Sequence, residues 1–425
     1  MKPRALLTSA ALAFVAATAH ADPTNVAIDD AVESARTRGF DRLLADAAQA
    51  RAEGEGRADA QLPNPALVLQ GGPMFNYKPC ADCWRFQLGA ALYDSGLIME
   101  LLSGRHGAKS DAALYAVDAA AADRATTRRA LEALVREAAV RLGVAEALLR
   151  AATDQAGALA KSLDAQRLRA PQVIDEGALA RFELQKAASD RAVIDGVARI
   201  RSAQAALAFL VGDRGIAPEY RVDEAILDLP VPNALANLDE HGAAARASTN
   251  RSEITSVDAL TRSADASADA ARAARVPTVV FGLWVQGQGI GYPANTPLSV
   301  GGSVELELPL FDQKQGLVRT ADAELLAQRL AATRTRATVT WDAASSVVAL
   351  SAARAIEASA RAAEASAKTA LAVVTLQFDA GAVPIVDRLD AERAYAAARG
   401  ARALASGDVQ IAVIELGRAL GTEAR

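Results

Sequence analysis

The chain has 425 residues, of which 51% are hydrophobic and only 4% are aromatic. It carries 46 Lys and Arg against 51 Asp and Glu, a formal net charge of −5. This acidic balance gives no reason to expect a nucleic-acid partner, because binding to phosphates needs a basic surface. Much of the apolar fraction is alanine, which favours long, closely packed helices over the core of a compact enzyme.

The first 21 residues have the features of a secretory signal peptide. Lys2 and Arg4 precede an apolar stretch over residues 5–17, and Ala19-His20-Ala21 supplies the small residues of a cleavage site. Its removal leaves 44 basic and 51 acidic residues, a net charge of −7. No other segment offers ~20 continuous apolar residues, and no cysteine follows the cleavage site to accept a lipid. We therefore expect an exported chain that no helix holds in a membrane.

The first half of the mature chain is predicted to contain a helix, a β-hairpin and two further helices. The first helix covers residues 22 to about 61 and ends at Leu62-Pro63-Asn64-Pro65, because prolines forbid its continuation. The hairpin follows over about 63–103. A helical pattern then runs from about Ser103 to Arg169, and at ~1.5 Å per residue it predicts a rod of roughly 100 Å.

The rod contains one apolar stripe with the alternating four- and three-residue steps of a coiled coil. Its members are Leu131, Val135, Ala138, Leu142, Ala145, Leu149 and Ala152. Pro171 and Gly177 are predicted to break the rod, with the turn at Gly177 or, alternatively, at Ala170-Pro171-Gln172-Val173. A second helix is predicted from about Gly177 to Leu210.

The second half repeats the first at an offset of about 210 residues. Apolar alternation starts at Pro65 and again at Pro277, and an apolar tail ends at Gly212 and again at Gly421. Repetition at this period predicts two copies of one unit, here two strands followed by two long helices. The predicted divisions are a first repeat over 22–212, an inter-repeat equatorial segment over 213–275, and a second repeat over 276–425 with a hairpin at about 277–309.

The clearest strand alternation lies in the second hairpin. Val304, Leu306 and Leu308 point to one face, while Ser303, Glu305 and Glu307 point to the other. A membrane barrel needs this pattern because lipid touches one face and water the other. An ordinary half-buried antiparallel strand has the same pattern. The exported context favours the barrel, in which the polar set would face the lumen.

Taken together, these features resemble the TolC family of outer-membrane efflux channels, and the length and missing lipid anchor are most similar to its CzcC-like branch. The segments that carry the resemblance are Leu62-Pro63-Asn64-Pro65, Arg251-Ser252-Glu253-Ile254, Pro309-Leu310-Phe311-Asp312, and Gly381 followed by residues 387–393. The resemblance implies a mainly helical homotrimer. Four strands from each chain would form one twelve-strand β-barrel, which would continue into a periplasmic α-helical coiled-coil barrel.

The resemblance also implies a function, the outer-membrane exit duct of a tripartite efflux system. Its partners would be a periplasmic adaptor, an inner-membrane pump of the RND type and the lipid of the outer membrane. No cofactor is expected, and the sequence contains no phosphate-binding glycine loop or catalytic triad motif.

By the same resemblance, Asp387 and Asp390 would line the constriction at the periplasmic tip. Three residues apart, they share a helix face, and a threefold axis would make them a ring of six carboxylates that concentrates cations. Alternatively, both are solvated helix carboxylates. Where the family's closed state has a tyrosine and an arginine, this chain has Phe378 and Val383. The same polar latch is therefore not expected, and a hydrophobic constriction is the alternative.

Cys80 and Cys83 are the only cysteines and lie between the first two predicted strands. In an oxidising compartment a disulfide between them is expected, with a metal or redox role as the alternative. The aromatic residues of the hairpins are predicted to form an interfacial girdle or, alternatively, to be ordinary strand residues: Phe75, Tyr77, Trp84, Trp284 and Tyr292.

The sequence leaves the cargo open. Glu305, Glu307, Asp387 and Asp390 favour a lumen for cations, such as heavy metals. A duct for type I secretion or for drug efflux is the alternative within transport. From another class, the alternative is a periplasmic coiled-coil scaffold with no pore.

Overall fold

The computed structural model describes residues 24–25, 27–73, 86–173, 176–215, 219–288, 299–307 and 311–422. Its helices are α1 (Ile28–Arg38), α2 (Phe40–Asp59), α3 (Leu97–Leu102), α4 (Arg105–Val173), α5 (Glu176–Val211), α6 (Asn233–Ala236), α7 (Glu240–Asn250), α8 (Ser252–Ala273), α9 (Gln315–Asp379) and α10 (Ile385–Ala419). Its strands are β1 (Thr24–Asn25), β2 (Ala66–Pro73), β3 (Phe86–Tyr93), β4 (Tyr220–Arg221), β5 (Thr278–Gln288) and β6 (Ser299–Glu307), and a 3₁₀ turn covers Glu224–Asp228. Within these residues, no helix is both long enough and apolar enough to cross a membrane.

Two very long helices, α4 with 69 residues and α9 with 65, determine the length of the molecule. At ~1.5 Å per residue each is about 100 Å long, which confirms the predicted rod. The rod breaks between Pro171 and Gly177 as predicted, because α4 ends at Val173 and α5 begins at Glu176. Helix α4 nevertheless runs slightly past Pro171.

The single helix predicted over residues 22–61 is wrong. Two helices, α1 and α2, meet at Gly39, whose backbone is extended at φ −60° and ψ 135°. Ahead of them, β1 pairs in parallel with β4, placing Thr24 opposite Tyr220 and Asn25 opposite Arg221. Residues 24–25 are therefore tied to the segment that follows α5.

Both halves of the chain end in the same way. Gly212 follows α5 with φ +78°, and Gly421 follows α10 with φ +68°. A Cβ atom on Gly212 would lie 2.3 Å from the carbonyl oxygen of Arg38, and one on Gly421 would lie 2.9 Å from that of Asn250. Each glycine thus packs where the two opening helices of its own half meet, α1 with α2 and α7 with α8.

The apolar stripe predicted along α4 is buried over most of its length. Leu131, Val135, Ala138, Leu142 and Ala145 are all buried, whereas Leu149 and Ala152 are half-buried. The first three and Leu142 belong to a core built from α1, α4, α5 and the 3₁₀ turn. A second core, built mainly from α7, α9 and α10, serves the other half.

The four longer strands form one antiparallel sheet in the order β2-β3-β5-β6. The helices joined to one end of these strands follow the same lateral order, because α2 packs on α4, α4 on α8, and α8 on α9. Strands and helices therefore continue one another as a single curved wall. The outer edges of β2 and β6 have no strand partner among the described residues.

Candidate functional site

The register of the sheet gives it one entirely apolar face. Residues directly opposite each other on neighbouring antiparallel strands lie on the same face. Following the pairs Leu67↔Leu92, Leu92↔Leu283 and Phe281↔Val304 collects the large side chains of that face. Val279 is half-buried, and the others are exposed: Leu67, Leu69, Leu88, Leu92, Phe281, Leu283, Val285, Val300, Val304 and Leu306.

The opposite face is polar or small, and it is the more enclosed of the two. It carries Val68, Gln70, Ala91, Tyr93, Trp284, Gln286, Ser303, Glu305 and Glu307. Ala91 is buried and Trp284 is half-buried, in contrast to the exposed apolar face. Ser303, Glu305 and Glu307 thus lie on the face opposite Val304 and Leu306, while the third apolar member, Leu308, lies outside the described residues.

Trp284 lies on the polar face of the sheet, which favours the alternative of an ordinary strand residue over a girdle. Its ring covers Gly301 on the polar face, where a Cβ atom would lie 2.4 Å from Trp284 Cζ2. Tyr93 covers Gly282 in the same way, with Cε1 2.7 Å from the position of a Cβ atom. Both rings fit because the residue beneath is glycine. The remaining aromatics of the expected girdle, Phe75, Tyr77, Trp84 and Tyr292, lie outside the described residues.

Asp387 and Asp390 lie in the first turns of α10, just past the turn that joins it to α9. Both are exposed, whereas Leu389 between them is buried against Leu159 and Phe182. Arg393 Nη1 donates a hydrogen bond of 3.3 Å to Asp390 Oδ1. The structure therefore places the two carboxylates at the tip of the helical hairpin, on its solvent side.

Phe378 and Val383, the two residues expected at a gate, are both half-buried near this turn. The guanidinium carbon of Arg388 lies 5.4 Å from the centroid of the Phe378 ring. This cation–π contact joins the end of α9 to the start of α10 within one chain. It was not predicted from the sequence, because nothing local to either residue indicates the pairing.

Arg251, in the segment that resembles the family's turn between α7 and α8, is buried with only 9% of its side chain exposed. Its Nη1 lies 2.6 Å from Asp342 Oδ2 on α9, and its Nη2 lies 2.5 Å from Glu253 Oε1. Burial by itself would lower the pKa of Arg251, but the hydrogen bonds to Glu253 and Asp342 outweigh it and raise the pKa. The arginine therefore stays charged and clamps the helix break to α9.

Glu132 makes a comparable clamp in the first half, where sequence reasoning did not identify one. Its carboxylate, 4% exposed, accepts hydrogen bonds from Arg36 Nε at 2.7 Å and Arg128 Nε at 3.0 Å. Burial alone would raise the pKa of Glu132, but the two arginines outweigh it and lower the pKa. Helix α1 is thus held on α4 by a charged contact.

The structure does not test the predicted disulfide, because Cys80 and Cys83 lie outside the described residues. The disulfide between them stays a prediction. Among the residues that the structure does describe, no group of three or more His, Cys, Asp or Glu side chains is arranged to hold a metal ion.

Comparison with known proteins gives one match to a family model and several matches to solved structures. Residues 244–422 match the family model described as Outer membrane efflux protein. Among curated proteins, none matches the chain.

Solved structures match over nearly the whole chain. A membrane protein from Pseudomonas aeruginosa has a TM-score of 0.78 at 19% identity, covering 94% of this chain and 93% of that one. CusC has a TM-score of 0.78 at 17% identity, covering 94% and 93%. The Neisseria gonorrhoeae MtrE outer membrane channel, in its open state, has a TM-score of 0.78 at 20% identity, covering 94% and 89%. Residues 244–422 are thus similar to the outer membrane efflux protein family, and over both halves the chain has the fold of these outer-membrane channels.

Proposed function

We propose that the protein is the exit duct of an efflux system in the outer membrane, a passive channel for substrate delivered from the periplasmic side. The observation that carries the proposal is the sheet with one exposed apolar face, an opposite face that is more polar, and two outer edges without a strand partner among the described residues. Such a sheet suits a membrane wall with lipid outside and water inside. A water-soluble scaffold would expose the row from Leu67 to Leu306 to solvent at a cost.

The open edges support a trimer. In lipid every backbone polar group needs a partner, so an open sheet is not viable. Four strands are too few to close a barrel with a passage. If β6 of one chain pairs with β2 of the next, three chains give a closed wall of twelve strands, and α4, α5, α9 and α10 extend that wall into the periplasm. The similarity to an outer membrane channel in its open state supports a channel rather than a scaffold.

The acidic tip supports a cation-selective aperture. Asp387 and Asp390 are exposed at the end of the rod, and threefold symmetry would gather six carboxylates around its axis. With Glu305 and Glu307 on the polar face of the sheet, the path would carry negative charge at both ends. Phe378 and Val383 beside the aperture would narrow it without a polar latch.

A passive duct of this kind needs partner proteins. A periplasmic adaptor and an inner-membrane pump, of the RND type, would supply substrate and energy. Heavy-metal cations, the cargo suggested by the CzcC-like resemblance, fit the acidic path. A drug or protein cargo stays the alternative, because a wide duct makes few specific contacts with what it carries.

The test compares two arginine substitutions on opposite faces of β5. Leu283→Arg places a charge on the apolar face, and Gln286→Arg places the same charge on the polar face. A lipid-facing arginine costs about 2–4 kcal/mol near the bilayer midplane. Leu283→Arg should therefore reduce the amount of trimer inserted in outer membranes, whereas Gln286→Arg should insert normally and change only conductance.

Mass measurement in detergent and planar-bilayer recording complete the test. The wild-type protein should have the mass of a trimer and should conduct. A stable monomer that does not conduct, or equal insertion of the two variants, contradicts the proposed channel and favours the scaffold.

A further inference from the structure

The short helix α3 lies where the sheet meets the rods. Because the sheet is antiparallel, the start of β2, the end of β3, the start of β5 and the end of β6 meet at one end. Helix α3 begins just after β3, past the turn Asp94-Ser95-Gly96. Asp94 Oδ1 accepts hydrogen bonds from the backbone N–H of Phe281 at 2.8 Å and of Gly96 at 3.2 Å. The position of α3 at this end is therefore held by the sheet itself.

The two sides of α3 differ in chemistry. Met99, Glu100 and Ser103 line a small cavity of about 80 Å³ together with the end of α8 and the start of β5, and Glu100 pairs with Lys109 on α4. The other side carries Ile98, Leu101 and Leu102, all exposed, with Leu102 75% exposed. Their three- and four-residue spacing puts them on one helix face. One side is therefore docked on the protein, and the other is an apolar stripe without a partner in the described chain.

The place of α3 in the wall indicates what covers this stripe. The helix packs on α4 and β5, beneath the two inner strands of the sheet. A second copy joined by strand pairing would meet the outer edges of β2 and β6, not this position. Water would leave three large side chains exposed at a cost. Leu92 on β3 and Leu283 on β5 lie opposite each other on the apolar face, near the end of the sheet at which α3 begins.

Other side chains at this end have the composition of a membrane interface. Phe311, which follows β6, is 99% exposed, and Val276, which precedes β5, is also exposed. Arg105 and Arg275 add positive charge near the same end, where Lys314 is paired with Asp312. Apolar side chains together with cations favour the boundary between acyl chains and anionic headgroups.

We propose that α3 is an interfacial helix whose Ile98, Leu101 and Leu102 side chains insert into the periplasmic leaflet of the outer membrane. The inference rests on the proposed channel function, and it assigns phospholipid as the partner of a helix that the barrel itself does not require. The helix would fix the height of the wall in the bilayer at the point where strands give way to rods.

The experiment places single fluorescent labels on the full-length trimer in liposomes. In a Cys80→Ser/Cys83→Ser background, Leu102→Cys and Leu101→Cys report on α3. Leu283→Cys reports on the apolar face of the sheet. Leu404→Cys, an exposed leucine far along α10, is the matched control outside the membrane. Each label is exposed to nitroxide-labelled phosphatidylcholine and, separately, to iodide in water.

We expect lipid nitroxides to quench the labels at Leu102 and Leu101 at least about twofold more strongly than the label at Leu404, with shallow nitroxides more effective than deep ones. Quenching at Leu283 with none at either α3 position overturns the interfacial helix and leaves the channel standing. Protection of the α3 labels from both lipid and iodide also overturns it, because a neighbouring protein surface then covers the stripe. No lipid quenching at Leu283 overturns the channel itself.

Discussion

Arg251 Nη1 lies 2.6 Å from Asp342 Oδ2, and this contact ties the break between α7 and α8 to α9, 91 residues further along the chain. Arg418 on α10 also approaches Asp342, at 3.7 Å. Three helices of the second half thus meet at one charged cluster, beside Gly421, which ends the repeat.

Replacing Arg251 by alanine should strongly destabilise the fold. It would leave the carboxylates of Asp342 and Glu253 without their buried partner, and breaking a buried pair costs about 3–5 kcal/mol. Urea unfolding in detergent, followed by circular dichroism, measures the loss. Arg361→Ala is the control, because its pair with Glu357 is largely exposed on the arginine side and such pairs contribute about 0–1 kcal/mol. Equal effects in the two variants would show that the Arg251 cluster is not a buried clamp.

Glu132→Gln should lower stability in a pH-dependent way. The pKa of Glu132 lies below its ordinary value of 4.5 in the folded protein, so its stabilising contribution is present above that pH and is lost as pH falls through the folded pKa. The variant should therefore unfold more easily than wild type at pH 7, and the difference should shrink in acid. Glu55→Gln, in an exposed pair with Arg51, should show little difference at either pH. If the difference in unfolding free energy between Glu132→Gln and the wild type stays constant from pH 7 into acid, this linkage is ruled out.

Gly301→Ala should disturb the sheet, whereas Gly302→Ala should not. A Cβ atom at Gly301 would lie 2.4 Å from the Trp284 ring, but at Gly302 the nearest atom is 3.7 Å away. Overpacking of this kind costs about 1–3 kcal/mol. The melting temperature of the trimer in detergent should fall for Gly301→Ala only, and adding Trp284→Ala should recover part of the loss. If the two glycine variants have the same melting temperature, the Trp284 ring does not cover Gly301 on the polar face.

The double variant Asp387→Ala/Asp390→Ala should reduce cation selectivity of the reconstituted pore. Alanine removes both charges and keeps a good helix former, so the hairpin should still fold. Block by multivalent cations from the periplasmic side should weaken, and the gate should open only partly because Phe378 and Val383 remain. Asp190→Ala/Asp195→Ala on α5 makes the same charge change away from the α9–α10 turn. Planar-bilayer recordings with unchanged selectivity and block in the first pair would make its carboxylates ordinary surface charges.

Local sequence signals were sufficient for the main elements. Alanine-rich helical periodicity over about 103–169 predicted α4, found at Arg105–Val173, because helix propensity and a regular apolar stripe are properties of neighbouring residues. The alternation from Ser303 to Glu307 likewise predicted a strand with one apolar and one acidic side, since successive side chains of any strand alternate.

Tertiary structure decided what depends on distant partners. Gly39 after Arg36 and Arg38 is a helix-end signal that the single predicted helix passed over, and its packing beside Gly212 shows why α1 and α2 separate there. The face of Trp284 depends on its register against Gly301, which no local pattern fixes. Asp342, which pairs with Arg251, and Arg36, which pairs with Glu132, lie on other helices 91 and 96 residues away. Composition and periodicity determine which elements form, but burial and charge pairing between remote segments determine how those elements are joined, because these energies exist only once the chain has folded.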